Sequence, residues 1–472
     1  VTVTTTPTTT EPDAAPAWES PSPSALTWLV AGAAFLLAGA LLLLLVAAQA
    51  VSPNLLTIGP ATSVGRLRPA AYLLVVYGGL GMLGAGVALD VTRRIAKAAI
   101  QLDVLAKVAG AIVTAGVVLS AGAVLTGHST GRVGFEMPWP LAVLIALGEV
   151  LVLGAVVRTA AKRTTDEVHP ALWFVVAALV CAPFVLLAGA LPRVHGVNDE
   201  LVLAYGLNGL KMLWLVPLGM GVALYAVPAA SRAALYSRQL AGIAFWGWFL
   251  FAPFAGPVRL VSGPAQNWVE SVGVAATVAL GIPVLAFVTL VFATYARRTS
   301  LAHETGLRFA LAGTGLLALW AVMASATAGR TAGAFLHGTP FPDGLAELAL
   351  LGVAASFLLA GAFHGLPGIA GAHHLANPRV ASAAVWLIGI GAAVVGLSLL
   401  AAGYVQGAVE TQAIRDGVPL GIGATYAHVT DAIRPLLWLR VMGDGLAAVG
   451  LALAFQQVFS TSTAGEPIEE SA

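Results

Sequence analysis

Apolar residues run along this chain in long blocks, each closed by proline, glycine or a pair of charges. Crossing the hydrocarbon core of a bilayer takes about 20 residues of helix. Blocks of that length occur twelve times, at about 26–50, 69–89, 103–126, 139–159, 170–192, 201–228, 239–262, 268–295, 307–329, 345–366, 380–403 and 433–457. The pattern predicts an all-α polytopic membrane bundle of about twelve transmembrane helices. Residues 1–25 are Thr, Pro, Ser and acid, too polar to order themselves, and read as a disordered tail. They have no basic n-region, so they do not read as a signal peptide. Residues 26–457 form the transmembrane domain, and 458–472 a short polar C-terminal tail. Small residues recur inside the blocks, as at Gly78, Gly79, Gly81, Gly84 and Gly86, where they let helices approach closely in lipid.

Composition agrees. Of 472 residues, 58% are hydrophobic and 10% charged, against about a quarter charged in a soluble domain. A net charge of +1 gives no basic field for nucleic acid. The single cysteine, Cys181, can form no internal disulfide, which excludes a disulfide-stapled fold. Loops after the even blocks hold Arg93, Arg94 and Lys97, then Lys162 and Arg163, Arg232 and Arg238, Arg297 and Arg298, and Arg379. Loops after the odd blocks hold mostly single arginines (Arg132, Arg193, Arg330). Lys and Arg mark the cytoplasmic side, so both termini are expected in the cytoplasm, in a bacterial inner membrane.

Several local strings are more specific. The second block opens Gly65-Arg66-Leu67-Arg68-Pro69-Ala70-Ala71-Tyr72. The sixth contains Tyr205-Gly206-Leu207-Asn208 and ends Tyr225-Ala226-Val227-Pro228, followed by Leu235-Tyr236-Ser237-Arg238. The seventh holds Phe245-Trp246 and Ala255-Gly256-Pro257-Val258-Arg259-Leu260. The eleventh ends Gly403-Tyr404-Val405-Gln406-Gly407, and the twelfth carries Arg434-Pro435, Arg440 and Gly443-Asp444-Gly445. In this order they resemble subunit I of the haem–copper oxidases, on the branch joining cbb-type oxygen reductases and nitric oxide reductases. The resemblance spans about residues 60–457.

In that family six histidines hold two haems and a second metal, because neutral imidazole suits haem iron and copper. Here the resemblance places Ala71, Leu207, Val258, Arg259, Leu345 and Glu347 at those positions, and Ala252 where cbb-type oxidases carry a tyrosine. It therefore implies a divergent member that binds no haem and no copper. The chain's nine histidines are His128, His169, His195, His303, His337, His364, His373, His374 and His428. They fall mostly in loops and read as interfacial imidazoles; only His364 lies inside the end of a block.

Charges in the hydrocarbon zone are costly and usually paired or wet. Lys211 lies one helical turn from Leu207 on the same face, so it is expected inside the bundle, with Glu347 as first partner and Glu149 as second. Lys211, Arg259, Glu347 and Glu149 form the candidate buried polar cluster, either a proton or ion path or a salt-bridged plug filling the emptied core. Arg440 and Asp444 are spaced as an i,i+4 pair. The expected function is a cofactor-free subunit of a respiratory complex, not catalytic by itself. It would act as scaffold or anchor, or in proton transfer, beside cytochrome or iron–sulfur subunits and lipid. The alternatives are an active cbb-type oxidase or nitric oxide reductase subunit, and an ion or solute channel or transporter.

Overall fold

Lipid offers a polypeptide backbone no hydrogen-bond partners, so a spanning segment satisfies its own amides as helix. The computed structural model describes residues 18–164, 166–190, 196–299, 304–417 and 424–464. Among them are twelve helices long and apolar enough to cross a membrane, and no strand. These are α1 (Pro23–Val51), α2 (Val64–Ala96), α3 (Asp103–Leu125), α4 (Trp139–Ala161), α5 (Pro170–Ala190), α6 (Val197–Ser231), α7 (Arg238–Leu260), α8 (Asn267–Ala296), α9 (Thr305–Thr327), α10 (Phe341–Ala370), α11 (Pro378–Arg415) and α12 (Ala427–Thr463). Residues 1–17 and 465–472 of the expected tails, with Arg193, His195 and His303, lie outside the described residues.

Several helices outrun their apolar blocks. α10 begins at Phe341, before residue 345, and α12 runs to Thr463, past residue 457. α11 continues from residue 403 to Arg415. Its extra turns are polar, with Gln406 donating to Glu410 at 2.9 Å and Gln412 to Asp416 at 3.1 Å. Ala402 of α11 packs there against Val429 and Ile433 of α12. A hydropathy window registers only the part of a helix that lies in hydrocarbon, so such extensions escape it.

The start of α1 and the ends of α10 and α12 share one face. The Ser22 amide donates to the Ile369 carbonyl at 2.9 Å, while Asn377 and Ala376, just before α11, donate to Gln457 and Thr461. On this terminal face Asp90 accepts from Arg93 and Arg94, each at 2.8 Å. Arg93 also reaches the Ser20 carbonyl at 2.6 Å, and Arg94 the Gly365 carbonyl of α10 at 3.2 Å. Arg93 is thus buried at the end of α2 and is not the loop residue expected.

Every fourth span is an inner one. The apolar windows of α2, α6 and α10 are 89%, 78% and 89% buried, against 33–56% for the other nine. Towards the terminal face the three pack on one another. A side chain at Gly361 of α10 would strike Val222 of α6 and Val87 of α2, both at 2.4 Å. Gly84 of α2 faces Leu218 of α6 at 2.6 Å, and Gly219 of α6 faces Phe357 of α10 at 2.8 Å. With lipid as apolar as any side chain, such close backbone approach is what holds membrane helices together. Midway along each inner helix lies a π-helical segment, at Leu74–Gly81, Leu210–Leu215 and Leu348–Ala354. Such segments are rare and concentrate at functional sites.

Candidate functional site

From the π-helical segments towards the face opposite the termini, the inner helices border a cavity of ≈ 680 Å³. α2 contributes Arg68, Tyr72 and Val76; α6 contributes Leu207, Leu210 and Lys211; α10 contributes Pro342, Asp343, Ala346 and Leu350. Residues at the outer ends of these helices and in the connecting loops, among them Val64, Gly65, Gly134, Glu200 and Thr339, form its mouth at that face. A second space of ≈ 120 Å³ runs from the same point between α6, α8, α9 and α10, past Leu280, Trp320 and Ala324. Leu207, Lys211, Arg259, His337 and Pro342 border both spaces.

The wall at Arg259 depends on a loosened helix end. α7 relaxes to 3₁₀ turns at Ala252–Phe254 and Gly256–Leu260, where Pro253 and Pro257 have no amide to donate. α6 stitches this end in place: Asn208 donates to the Ala252 carbonyl at 2.7 Å, and Trp248 to the Met212 carbonyl, within the π-helical segment, at 2.6 Å. The segment therefore contributes a carbonyl that an outside indole satisfies. His337 is held through Nδ1 to the Val261 carbonyl at 2.9 Å.

Four of the six singled-out positions converge here, since Leu207, Val258, Arg259 and Leu345 all line the smaller space. Ala71 and Glu347 do not. Ala71 is fully buried against α1, its carbonyl 3.1 Å from where a side chain on Gly39 would stand. Glu347 is buried and accepts from the Tyr72 hydroxyl at 2.7 Å, crossing the gap between α2 and α10. Arg68 and Asp343, nearer the mouth, pair across the same gap at 2.8 Å.

Lys211 faces the bundle as expected, but the expected partners are not there. Among the described residues it makes no ion pair and no hydrogen bond, and neither does Arg259. Glu347 is engaged by Tyr72. Glu149 lies on α4, fully buried outside both cavities, and neither of its carboxylate oxygens has a hydrogen-bond partner. Lys211 and Arg259 thus share the cavity, the Glu347 charge acts on Lys211 without bonding to it, and Glu149 lies apart. Arg440 and Asp444 pair at 3.5 Å, as their spacing predicts.

Of the described histidines only His337 lines either space. His364 pairs with Glu304 at 3.1 Å and packs edge-on against Tyr225. No group of three His, Cys, Asp or Glu among the described residues could hold a metal ion. At the mouth, burial pushes the Glu136 carboxyl above the ordinary glutamate range. Glu136 and the arginine network at Asp90 went unread in the sequence, where each looks like a loop charge. The Asp90-x-x-Arg93-Arg94 spacing, which puts i,i+3 and i,i+4 partners on one face, was the available signal.

Comparison with known proteins makes the chain a haem–copper oxidase subunit I-like membrane protein. A cryo-EM structure of a heme-copper terminal oxidase dimer superposes with a TM-score of 0.69 at 14% identity, covering 93% of this chain and 84% of that one. The chain belongs to the cytochrome c and quinol oxidase polypeptide I family, whose sequence profile matches residues 24–446. It is 24% identical over 451 residues to the cbb3-type cytochrome c oxidase subunit CcoN1 of Stutzerimonas stutzeri, covering 90% of this chain and 92% of that one. It is also 25% identical over 179 residues to cytochrome c oxidase subunit 1 of Rhodobacter capsulatus, covering 35% and 34% of the two chains.

Proposed function

We propose that this chain is a subunit I-like scaffold of a respiratory electron-transfer complex, and that it carries neither haem nor copper itself. The observation behind this reading is the side-chain chemistry of the cavity. Leu207, Val258, Arg259 and Leu345 border it where the family would present imidazole. Two aliphatic side chains and a permanent cation flank Leu207 there, and none of the four is a haem-iron or copper ligand. Glu347, a further position where the family would present imidazole, accepts instead from Tyr72 across the gap between α2 and α10. The residues present do not fit the family's cofactors.

On this reading the redox groups belong to partner subunits of cytochrome or iron–sulfur type, and this chain anchors them in the membrane. Both termini face the cytoplasm, since the terminal face gathers Lys97, Lys162, Arg163, Arg297 and Arg298. Any proton path would run through Lys211 and Arg259, which share the cavity, with Glu347 at its flank and Glu149 as a separate buried acid. The similarity to CcoN1 supports the competing reading, an active cbb-type oxidase or nitric oxide reductase subunit. Pyridine haemochrome and metal analysis of the purified chain decide between them. Both assays are expected to be blank, and stoichiometric haem bound by this chain would overturn the proposal. Co-purification of cytochrome or iron–sulfur subunits separates a scaffold from a self-sufficient channel or transporter.

A further inference from the structure

We propose that the place where the two spaces meet is a binding site for an oxyanion, held between the Lys211 ammonium and the Arg259 guanidinium. The inference rests on the cofactor-free reading of the same cavity.

Both cations border both spaces, near enough for their charges to bear on one another, and neither has an ion pair or hydrogen bond among the described residues. Lys211 is half-buried and Arg259 exposed where they border these spaces, and two like charges facing one space repel each other. The nearby acids offset them only from a distance. Asp343 is committed to Arg68 at 2.8 Å, and Glu347 to Tyr72 at 2.7 Å. An anion lodged between the cations supplies the missing contacts. A guanidinium presents a planar fork of N–H donors that matches two oxygens of a carboxylate, phosphate or sulfate, and an ammonium adds a compact point charge.

The way in is also built. The ≈ 680 Å³ cavity opens at the face opposite the termini, so an anion reaches Lys211 and Arg259 without crossing lipid. Glu136 and Glu200 line the outer part. The smaller space leaves room beside Leu280 and Trp320 for a short apolar substituent, so an organic carboxylate fits as well as an inorganic ion.

Inorganic phosphate and acetate are the probes, titrated into the purified full-length chain in detergent at constant ionic strength, with thermal unfolding as readout. A saturable rise in Tm is expected with at least one of them. Lys211→Met and Arg259→Gln should each weaken the midpoint about tenfold or more, and Arg259→Lys should weaken it less. Lys107→Met, at an exposed i,i+4 pair on α3, should respond like the parent protein. Equilibrium dialysis of radiolabelled phosphate and acetate against the parent chain gives a second measurement if a variant folds poorly. No saturable response in either assay, or an equal response in parent, Lys211→Met and Arg259→Gln, would overturn the site. A haemochrome assay on the same sample keeps the two ideas apart. Haem in the chain overturns the cofactor-free reading and the site with it, while a haem-free chain that binds neither anion overturns the site alone.

Discussion

The Tyr72 hydroxyl donates to the Glu347 carboxylate at 2.7 Å, tying α2 to α10 beside the cavity. Glu347 is buried and Tyr72 half-buried against the cavity, and Arg440 of α12 is near enough for its charge to act on the same carboxylate. Removing one partner of a buried pair exposes the other to the full desolvation penalty, whereas removing both can be nearly neutral. Tyr72→Phe should therefore cost about 1–3 kcal/mol. Tyr72→Phe with Glu347→Leu should recover most of that loss. Thermal unfolding of the three proteins in one detergent checks this, and additive losses in the double variant would contradict it.

Gly361 marks the point where the three inner helices meet. Even the Ala methyl at this position would stand 2.4 Å from both Val222 and Val87. Overpacking of this kind costs about 1–3 kcal/mol, so Gly361→Ala should lower Tm and Gly361→Val should lower it further. Gly389, within α11, has nothing within 4 Å of where its Cβ would lie. Gly389→Ala should be neutral or slightly stabilising, since alanine is the better helix former. Equal effects at the two glycines would argue against the triple junction.

On the terminal face, Asp90 offsets two guanidinium groups at once, and Arg93 is itself buried. Asp90→Asn leaves a buried cation without its counter-charge, a loss of about 3–5 kcal/mol. The expected result is a protein that no longer runs as a single species on size exclusion at the parent's growth temperature. Asp90→Glu, which keeps the charge on a longer arm, should restore part of the yield. A stable, monodisperse Asp90→Asn protein would mean that Ser20 and Gly365 carry the arginines unaided.

Glu149 has neither exposure nor a hydrogen-bond partner. A buried polar group in that position costs stability in its neutral as well as its charged form. Glu149→Leu should therefore raise Tm, and Glu149→Gln should leave it near the parent value. If Glu149 moves protons, both variants should assemble into the complex and abolish its proton-coupled activity. A lowered Tm in Glu149→Leu would reveal a polar contact at the carboxyl.

Apolar length alone established twelve spans and an even topology, because hydrocarbon demands about 20 residues of self-satisfied helix wherever it is crossed. Local spacing was likewise sufficient for Arg440 and Asp444, which are neighbours on one helix whatever surrounds them. The resemblance in local strings brought residues 207, 258, 259 and 345 to one place, and they do border one space. Which spans lie inside was not legible. Lipid and a packed helix are equally apolar surroundings, so α2, α6 and α10 share the hydropathy of their outer neighbours. Lys211 shows the limit most plainly. Its face followed from helical period, but its partner depended on Glu347, 136 positions further along the chain, and tertiary packing gave that carboxylate to Tyr72. Helical period fixes where a side chain points along its own helix, and only the packing of separate helices decides what it meets.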